Sequence, residues 1–218
     1  MLVIGAGGLG CPAALYLAAA GVGRLSLADS DKVDLTNLQR QILYRTDSVG
    51  AQKAFAAAST LRAANPDVEV VPISARVKAE QLDELSAQSD LVLDCSDNFA
   101  TRHAVNRACV QHAKPLVSGA AIRFDAQVMV FDRRKQDAPC YSCLFPEDAE
   151  VEEVQCSQMG VLAPLTGMVG SIQAMEAIKL IVGTGESLSG RLLLIDAKSA
   201  EWRTVKVSKD PACRVCGA

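Results

Sequence analysis

Two groups of residues have the types and spacing to do chemistry. The first is Gly5-Ala-Gly-Gly-Leu-Gly10, where Gly5, Gly7 and Gly10 keep the G-x-G-x-x-G spacing and Asp29 follows about twenty residues on. Glycines let a backbone turn tightly and approach phosphate, whose charge then meets the free N–H groups at the start of the next helix. Asp29 stands where a carboxylate accepts hydrogen bonds from ribose hydroxyls. The second group is a pair of C-x-x-C motifs, Cys140 with Cys143 and Cys213 with Cys216, about seventy residues apart. Thiolates in two tight knuckles suit one tetrahedral Zn²⁺ without an open position, a structural site. Redox thiols are the alternative.

The elements that must position the glycines are a short buried strand at Leu2–Ile4, an Ala/Leu-rich helix over residues 9–20 and a strand at Arg24–Ala28 that ends in the acid. This is a β-α-β nucleotide-binding unit. NAD, FAD, S-adenosyl compounds and ATP all suit it, so the rest of the chain must choose.

After Asp29 a polar stretch leaves the carboxyl end of a strand, where open α/β sheets bind ligands. Asn37, Arg40 and Gln41 either face the nucleotide there or form a solvated loop. Residues 50–64 read as a helix, with Lys53 near its start able to reach a phosphate or to sit at the surface. A strand over 68–73, a helix at Ala79–Ala87 and a strand over 90–95 follow. Ser96-Asp97-Asn98 then opens a helix over 99–112. Asp97 is either its cap or a carboxylate that holds Mg²⁺ or orients a phosphate. His103 and His112 on this helix read as surface residues.

Strands are expected at 114–118 and 126–131, the second being where parallel pairing gives way to antiparallel. Another antiparallel pair is expected at 191–195 and 202–207. Residues 146–155, acidic and poorly periodic, read as a mobile crossing loop. Cys156 at its end is either a nucleophile or a buried small side chain, while Cys11, Cys95 and Cys109 read as packing residues.

Half of the 218 residues are hydrophobic and the net charge is -3. That suits one domain over 1–218 with an ample core. Without a basic run there is no footprint for nucleic acid. The apolar stretch over 161–182 contains Thr166, Ser171, Gln173, Glu176 and Lys179, so it reads as a buried helix and not a membrane span. Met1 leads directly into a strand with no secretory signal, and the cytoplasm is the expected location. In that setting the eight cysteines favour metal or catalytic use over a disulfide framework. The expected fold is α/β: a Rossmann-like, doubly wound, mostly parallel sheet with antiparallel C-terminal strands and a zinc staple of four cysteines.

Taken together, the glycine turn, Asp29 with Asn37-Leu-Gln-Arg-Gln41, Lys53, Cys95-Ser-Asp-Asn98 and the paired C-x-x-C motifs resemble one family along essentially the whole chain. It is the MoeB/ThiF family of sulfur-carrier-protein adenylyltransferases, relatives of the ubiquitin-activating enzymes. The resemblance implies that the Gly-Gly carboxylate of a ubiquitin-like carrier attacks the α-phosphate of MgATP, releasing pyrophosphate. It assigns Gly5, Gly7, Gly8 and Gly10 to the phosphate loop, Asp29 to ribose, and Asn37, Arg40 and Lys53 to phosphates. Asp97, with Asn98, would organise Mg²⁺ and the reacting phosphate.

Cys156 matches the family's crossing-loop cysteine, a sulfur-transfer thiol in thiamine-pathway members. A sulfur donor protein and a second copy of the chain, as a homodimer, are the further partners implied. Segments 159–165 and 173–179 look more like the molybdopterin branch, although Cys143-Leu-Phe-Pro146 and Trp202-Arg203 also occur in thiamine-like members. Family members carry a segment before the first strand, with an arginine that reaches the partner subunit's ATP site. Here the strand comes first, so either that start has been lost or a partner supplies the charge, and a homodimer with an intact fold and weakened adenylation is expected. An NAD-dependent oxidoreductase and a non-catalytic carrier-binding scaffold are the alternative readings.

Overall fold

β1 (Leu2–Ile4) is buried along its whole length, because a Leu-Val-Ile strand with parallel neighbours on both sides must be covered on both faces. Its partners are β2 (Arg24–Ala28) and β4 (Val92–Asp94). In this computed structural model, which describes residues 1–148 and 159–217, the remaining strands are β3 (Glu69–Ile73), β5 (Pro115–Ile122), β6 (Asp125–Asp132), β7 (Arg191–Asp196) and β8 (Glu201–Lys206). They form one eight-stranded sheet in the order β3-β2-β1-β4-β5-β6-β7-β8. The first five strands are parallel, and every pairing from β5 onward is antiparallel. The mostly parallel sheet with antiparallel C-terminal strands is thus as expected, with the change of direction at β6.

Alternation along β1 sorts the two layers. Val3 faces α1 (Gly10–Ala19), α2 (Lys53–Ala64) and a long helix α6 (Ala163–Val182), in a core with Leu17, Leu61 and Val169. Leu2 and Ile4 face the opposite way, toward α3 (Ala79–Ala87) and α4 (Phe99–Gln111), in a core with Leu82, Val105 and Cys109. A four-residue helical turn, α5 (Tyr141–Leu144), packs on α4.

Two boundaries differ from expectation by three residues or more. The helix foreseen from residue 50 begins at Lys53, because Gly50 takes a left-handed conformation, φ +88°, and Gln52 is extended. β5 runs on through Gly119 to Ile122, past Ser118, where the expected strand ended. A Cβ at Gly119 would come within 2.6 Å of the Gln173 amide, so the glycine makes room for a side chain crossing the strand.

That crossing also explains α6. The helix is long and apolar enough to span a membrane by composition, yet its polar residues are used inside the fold. Gln173 Nε2 donates to the carbonyls of Asp94 and Val117 at 2.8 and 3.2 Å. Buried Glu176 pairs with Lys179 and accepts the Leu188 N–H at 2.8 Å. The helix stops at Gly183, φ +71°, a left-handed C-cap.

Candidate functional site

A cleft of about 330 Å³ opens where the carboxyl ends of β1, β2 and β4 meet. β2 and β3 lie to one side of β1, and β4 starts the other side, so the cleft sits at the point where the strand order reverses. Its walls bring together Gly5, Gly7, Gly8, Asp29, Arg40 and Lys53 from the first part of the chain. The opposite rim supplies Asp97, Asn98 and Arg102.

The glycines answer different needs. Gly10 starts α1 hard against the Gly5 carbonyl: a Cβ there would lie 1.9 Å from that oxygen. Gly10 therefore shapes the turn from behind and does not line the cleft. Gly7 lines it, and the nearest atom to a Cβ there would be Gln41 Nε2 at 3.8 Å. α1 itself has no side-chain cap and no acid in its first turn, leaving its amino end open to an anion. The buried Tyr44 hydroxyl donates to the Ala6 carbonyl at 2.8 Å and pins the turn to the layer beneath.

Asp29 is held by two backbone donors: Oδ2 accepts the Ala6 N–H at 2.7 Å and Oδ1 the Asp31 N–H at 2.9 Å. Burial pushes its carboxyl above the usual value, against the pull of Lys53. Lys53 is buried at the start of α2 and ion-pairs with Asp31 at 3.0 Å. Arg40 Nη2 donates to Asn37 Oδ1 at 2.7 Å. Asn37 does not line the cleft; it sits behind and holds the guanidinium.

At the other rim, the cap of α4 is Asn98, whose Oδ1 accepts the Thr101 N–H at 2.9 Å. This separates the two roles left open for Asp97: the neighbour caps the helix, and the Asp97 carboxylate is exposed at the cleft. The turn beneath is fixed by Asp94, which accepts from Ser96 N and Oγ at 3.0 and 2.6 Å and from Ser118 Oγ at 3.0 Å.

Arg102 and Thr166 line the cleft without having been assigned a place in it, and Gln41, for which a nucleotide-facing place and a solvated loop were both open, lines it too. Arg102 follows Asn98 by one helical turn, and its Nη2 donates to the Ser96 carbonyl at 2.9 Å. Gln41 Oε1 is buried with no hydrogen-bond partner among the described residues. Thr166 lies in an apolar run, and only the packing of α6 against the glycine turn brings it there. His103, expected at the surface, is half-buried between Phe99 and Tyr141, with ring centroids 6.3 and 5.3 Å away. Burial pushes its imidazole down. His112 pairs with Asp83 at 2.8 Å, away from the cleft. Cys156 and most of the acidic crossing stretch lie outside the described residues.

The second site is the cysteine cluster. The ligand atoms of Cys140, Cys143, Cys213 and Cys216 all lie within 4.8 Å of one another, and no disulfide joins them. Neighbouring Sγ pairs are 3.7 Å (140 to 213), 3.9 Å (140 to 143) and 3.4 Å (143 to 216) apart. Sulfurs about 2.3 Å from a tetrahedral Zn²⁺ stand about 3.8 Å apart, so the cluster has the dimensions of such a cage. Residues 140–143 open with Cys140 as an extended cap on α5, and 213–216 lie in the closing turns of the chain.

Residues 1–215 match the ThiF family. The chain belongs to that family. It is 46% identical over 220 residues to the molybdopterin-synthase adenylyltransferase of Escherichia coli (strain K12), covering 100% of this chain and 86% of that protein. It is 45% identical over 217 residues to the sulfur carrier protein ThiS adenylyltransferase of the same strain, covering 100% and 85%. Among solved structures, E. coli MccB with ATP superposes with a TM-score of 0.84 at 25% identity, covering 100% of this chain. The chain spans 65% to 67% of the length of the MccB chains it matches. The family resemblance and the adenylyltransferase class expected from the motifs both stand on this kinship.

Proposed function

We propose that this ThiF-family chain adenylates the C-terminal Gly-Gly carboxylate of a ubiquitin-like sulfur-carrier protein. The molybdopterin synthase small subunit is the favoured carrier and the thiamine-pathway carrier the next. The supporting observation is that one cleft at the strand ends gathers an anion-ready helix start, a ribose-type acid, the cations Arg40 and Lys53 among others, and an exposed carboxylate. A dinucleotide oxidoreductase would leave Arg40, Lys53 and the cysteine cluster without work.

In this reading the ATP ribose lies at Asp29 and its phosphates run past Gly5, Gly7 and Gly8 toward Arg40 and Lys53, with Gly10 and Asn37 holding those groups from behind. A carboxylate oxygen of the carrier attacks the α-phosphorus. The bond from that phosphorus to the bridging oxygen breaks, and pyrophosphate leaves with the electron pair. No proton moves, because the attacking carboxylate is already ionised, so no general base is needed. Catalysis is alignment plus the two cations placed where charge gathers during displacement.

Asp97 is the group that would hold Mg²⁺, which would neutralise phosphate charge; a single carboxylate with phosphate oxygens is a usual donor set for that ion. Asn98 Nδ2, 3.4 Å from Asp97 Oδ1, steadies the carboxylate. The four cysteines would hold a structural Zn²⁺ that ties the chain's last turns to the segment after β6. With a thiamine-pathway carrier, the terminal sulfur of a donor protein's persulfide would displace AMP from the acyl adenylate to leave an acyl disulfide. Cys156 is the proposed thiol that would attack the donor's sulfur, releasing the thiocarboxylate and forming a disulfide with the donor. Residues 1–218 act as one domain, paired as a homodimer. The unbridged Cys11, Cys95 and Cys109 suit the reducing cytoplasm.

The preference between carriers rests on segments 159–165 and 173–179, since 46% and 45% identity do not separate the two branches. Intact-mass measurement of each carrier after incubation with the protein and MgATP tests the reading. A carrier that gains one adenylyl group, and fails to when its last two glycines are removed, supports it. Unmodified carriers of both kinds, with ATP bound to the protein, refute it.

A further inference from the structure

Asn106 lies on α4 beside the buried Val105, Ala108 and Cys109, and is itself 1% exposed. A primary amide in such a place is costly unless its polar atoms are paired. One short segment pairs them. Oδ1 accepts the Tyr141 N–H at 2.9 Å, and Nδ2 donates to Ser142 Oγ at 3.1 Å and to Cys140 Sγ at 3.6 Å. Three consecutive residues of the first cysteine knuckle are thus held by one side chain of a helix that carries no member of the cysteine cluster.

The same face of that helix serves the cleft. Asn98, Arg102 and Asn106 follow at four-residue intervals, so they share a face and span about 12 Å of helix axis. Asn98 caps the helix beside Asp97, and Arg102 ties it to the Ser96 carbonyl. The Cys140 knuckle and the turn bearing Asp97 are therefore fixed to the middle and the start of one rigid element.

We propose that Asn106 is the positioning residue that joins the four-cysteine cluster to the nucleotide cleft, so that zinc and MgATP each strengthen the binding of the other. This rests on the zinc and ATP readings above. An N–H donor to a thiolate orients it and offsets its charge, and partners of this kind are commonly worth about 10–100-fold in metal affinity. A held knuckle in turn holds the face of α4 on which the Asp97 turn depends. Reciprocity then requires that zinc tighten ATP binding by the same factor by which ATP tightens zinc.

The test uses the full chain, Asn106→Ala, and Asn106→Asp, which keeps the acceptor for the Tyr141 N–H but replaces the donors with a charged oxygen. Zinc transfer to a chromophoric chelator is timed with and without MgATP, and ATP affinity is measured on zinc-loaded and zinc-free protein. In the unsubstituted protein, MgATP is expected to slow zinc release and zinc to tighten ATP binding, about fivefold or more. Asn106→Ala is expected to release zinc about 10–100-fold faster and to lose the mutual effect. Should the alanine variant fail to fold, the aspartate variant is expected to show the same two losses.

Unchanged zinc release in the folded variants overturns the proposal, as does a mutual effect that survives in them or is absent from the unsubstituted protein. Failure of the unsubstituted protein to bind zinc or ATP at all overturns the reading beneath it, and the proposal with it.

Discussion

Lys53 Nζ lies 3.0 Å from Asp31 Oδ2, and the partners are unequal: the lysine side chain is 6% exposed and the aspartate 68%. Solvent screens the acid, so the pair positions the ammonium at the cleft wall without neutralising it strongly. Phosphate arriving in the cleft can then take over the lysine. Replacing Lys53 by alanine is expected to lower kcat about 10²–10³-fold, the usual cost of removing a charge-stabilising group. Asp31→Asn is expected to cost less than about tenfold by the same logic. Steady-state kinetics on the two variants check this, and equal losses would mean that the aspartate does more than hold the lysine.

Asp97 and Asn98 are adjacent but should fail differently. Asp97→Asn removes the exposed carboxylate assigned to Mg²⁺ and is expected to lower turnover by about 10² or more, with unfolding by denaturant unchanged. Asn98→Ala removes the cap on α4 and is expected to cost about 1 kcal/mol of stability. Denaturant titration alongside turnover separates the two, and an Asn98→Ala protein of undiminished stability would contradict the cap.

The glycine turn makes a similar contrast. Gly10→Ala would drive a methyl group to 1.9 Å from the Gly5 carbonyl, so soluble folded protein is expected to be lost or strongly destabilised. Gly7→Ala meets nothing closer than 3.8 Å, so the fold should survive while ATP affinity falls. Thermal unfolding and nucleotide titration of the pair distinguish turn geometry from ligand contact.

Asp29 gives a pH signature. Its carboxyl is pushed above the ordinary 3.8 by burial, so the folded state favours the protonated form. Relative to a neutral side chain, its contribution to stability is therefore largest below the unfolded value and is lost as pH rises from 3.8 through the raised folded value. Asp29→Asn is expected to gain stability over the wild type across that rise and to bind ATP more weakly at neutral pH. Melting temperatures of both proteins, compared from acid to neutral pH, check the sign; a difference constant with pH would contradict it.

Much of this was legible in the chain, for identifiable reasons. β1, β2 and β4 announce themselves as apolar runs ending in small or acidic residues, and the C-x-x-C spacing is a local property that survives folding unchanged. Lys53 and Asp97 are legible because they stand at or just before a helix start, and Arg40 because it lies in the polar stretch that follows β2, on the side where the sheet opens to ligand. What stayed hidden depends on tertiary approach. Thr166 reaches the cleft only because α6 packs on the glycine turn, with a Cβ on Gly8 standing 3.0 Å from its Oγ1. His103 looked solvent-facing by type, but its neighbours Phe99 and Tyr141 come from one turn earlier and from a segment beyond β6. The strand expected over 114–118 runs on past Gly119, and nothing local reveals that Gln173 must pass that glycine.

The central claim is that this cleft activates a carrier carboxylate. Exchange of labelled pyrophosphate into ATP, measured with each Gly-Gly-tailed carrier in turn, tests it most directly. Exchange is predicted only when a carrier with an intact tail is present, and it should disappear with Asp97→Asn. Exchange that ignores the carrier, or none with either carrier in protein that binds ATP, would contradict the account.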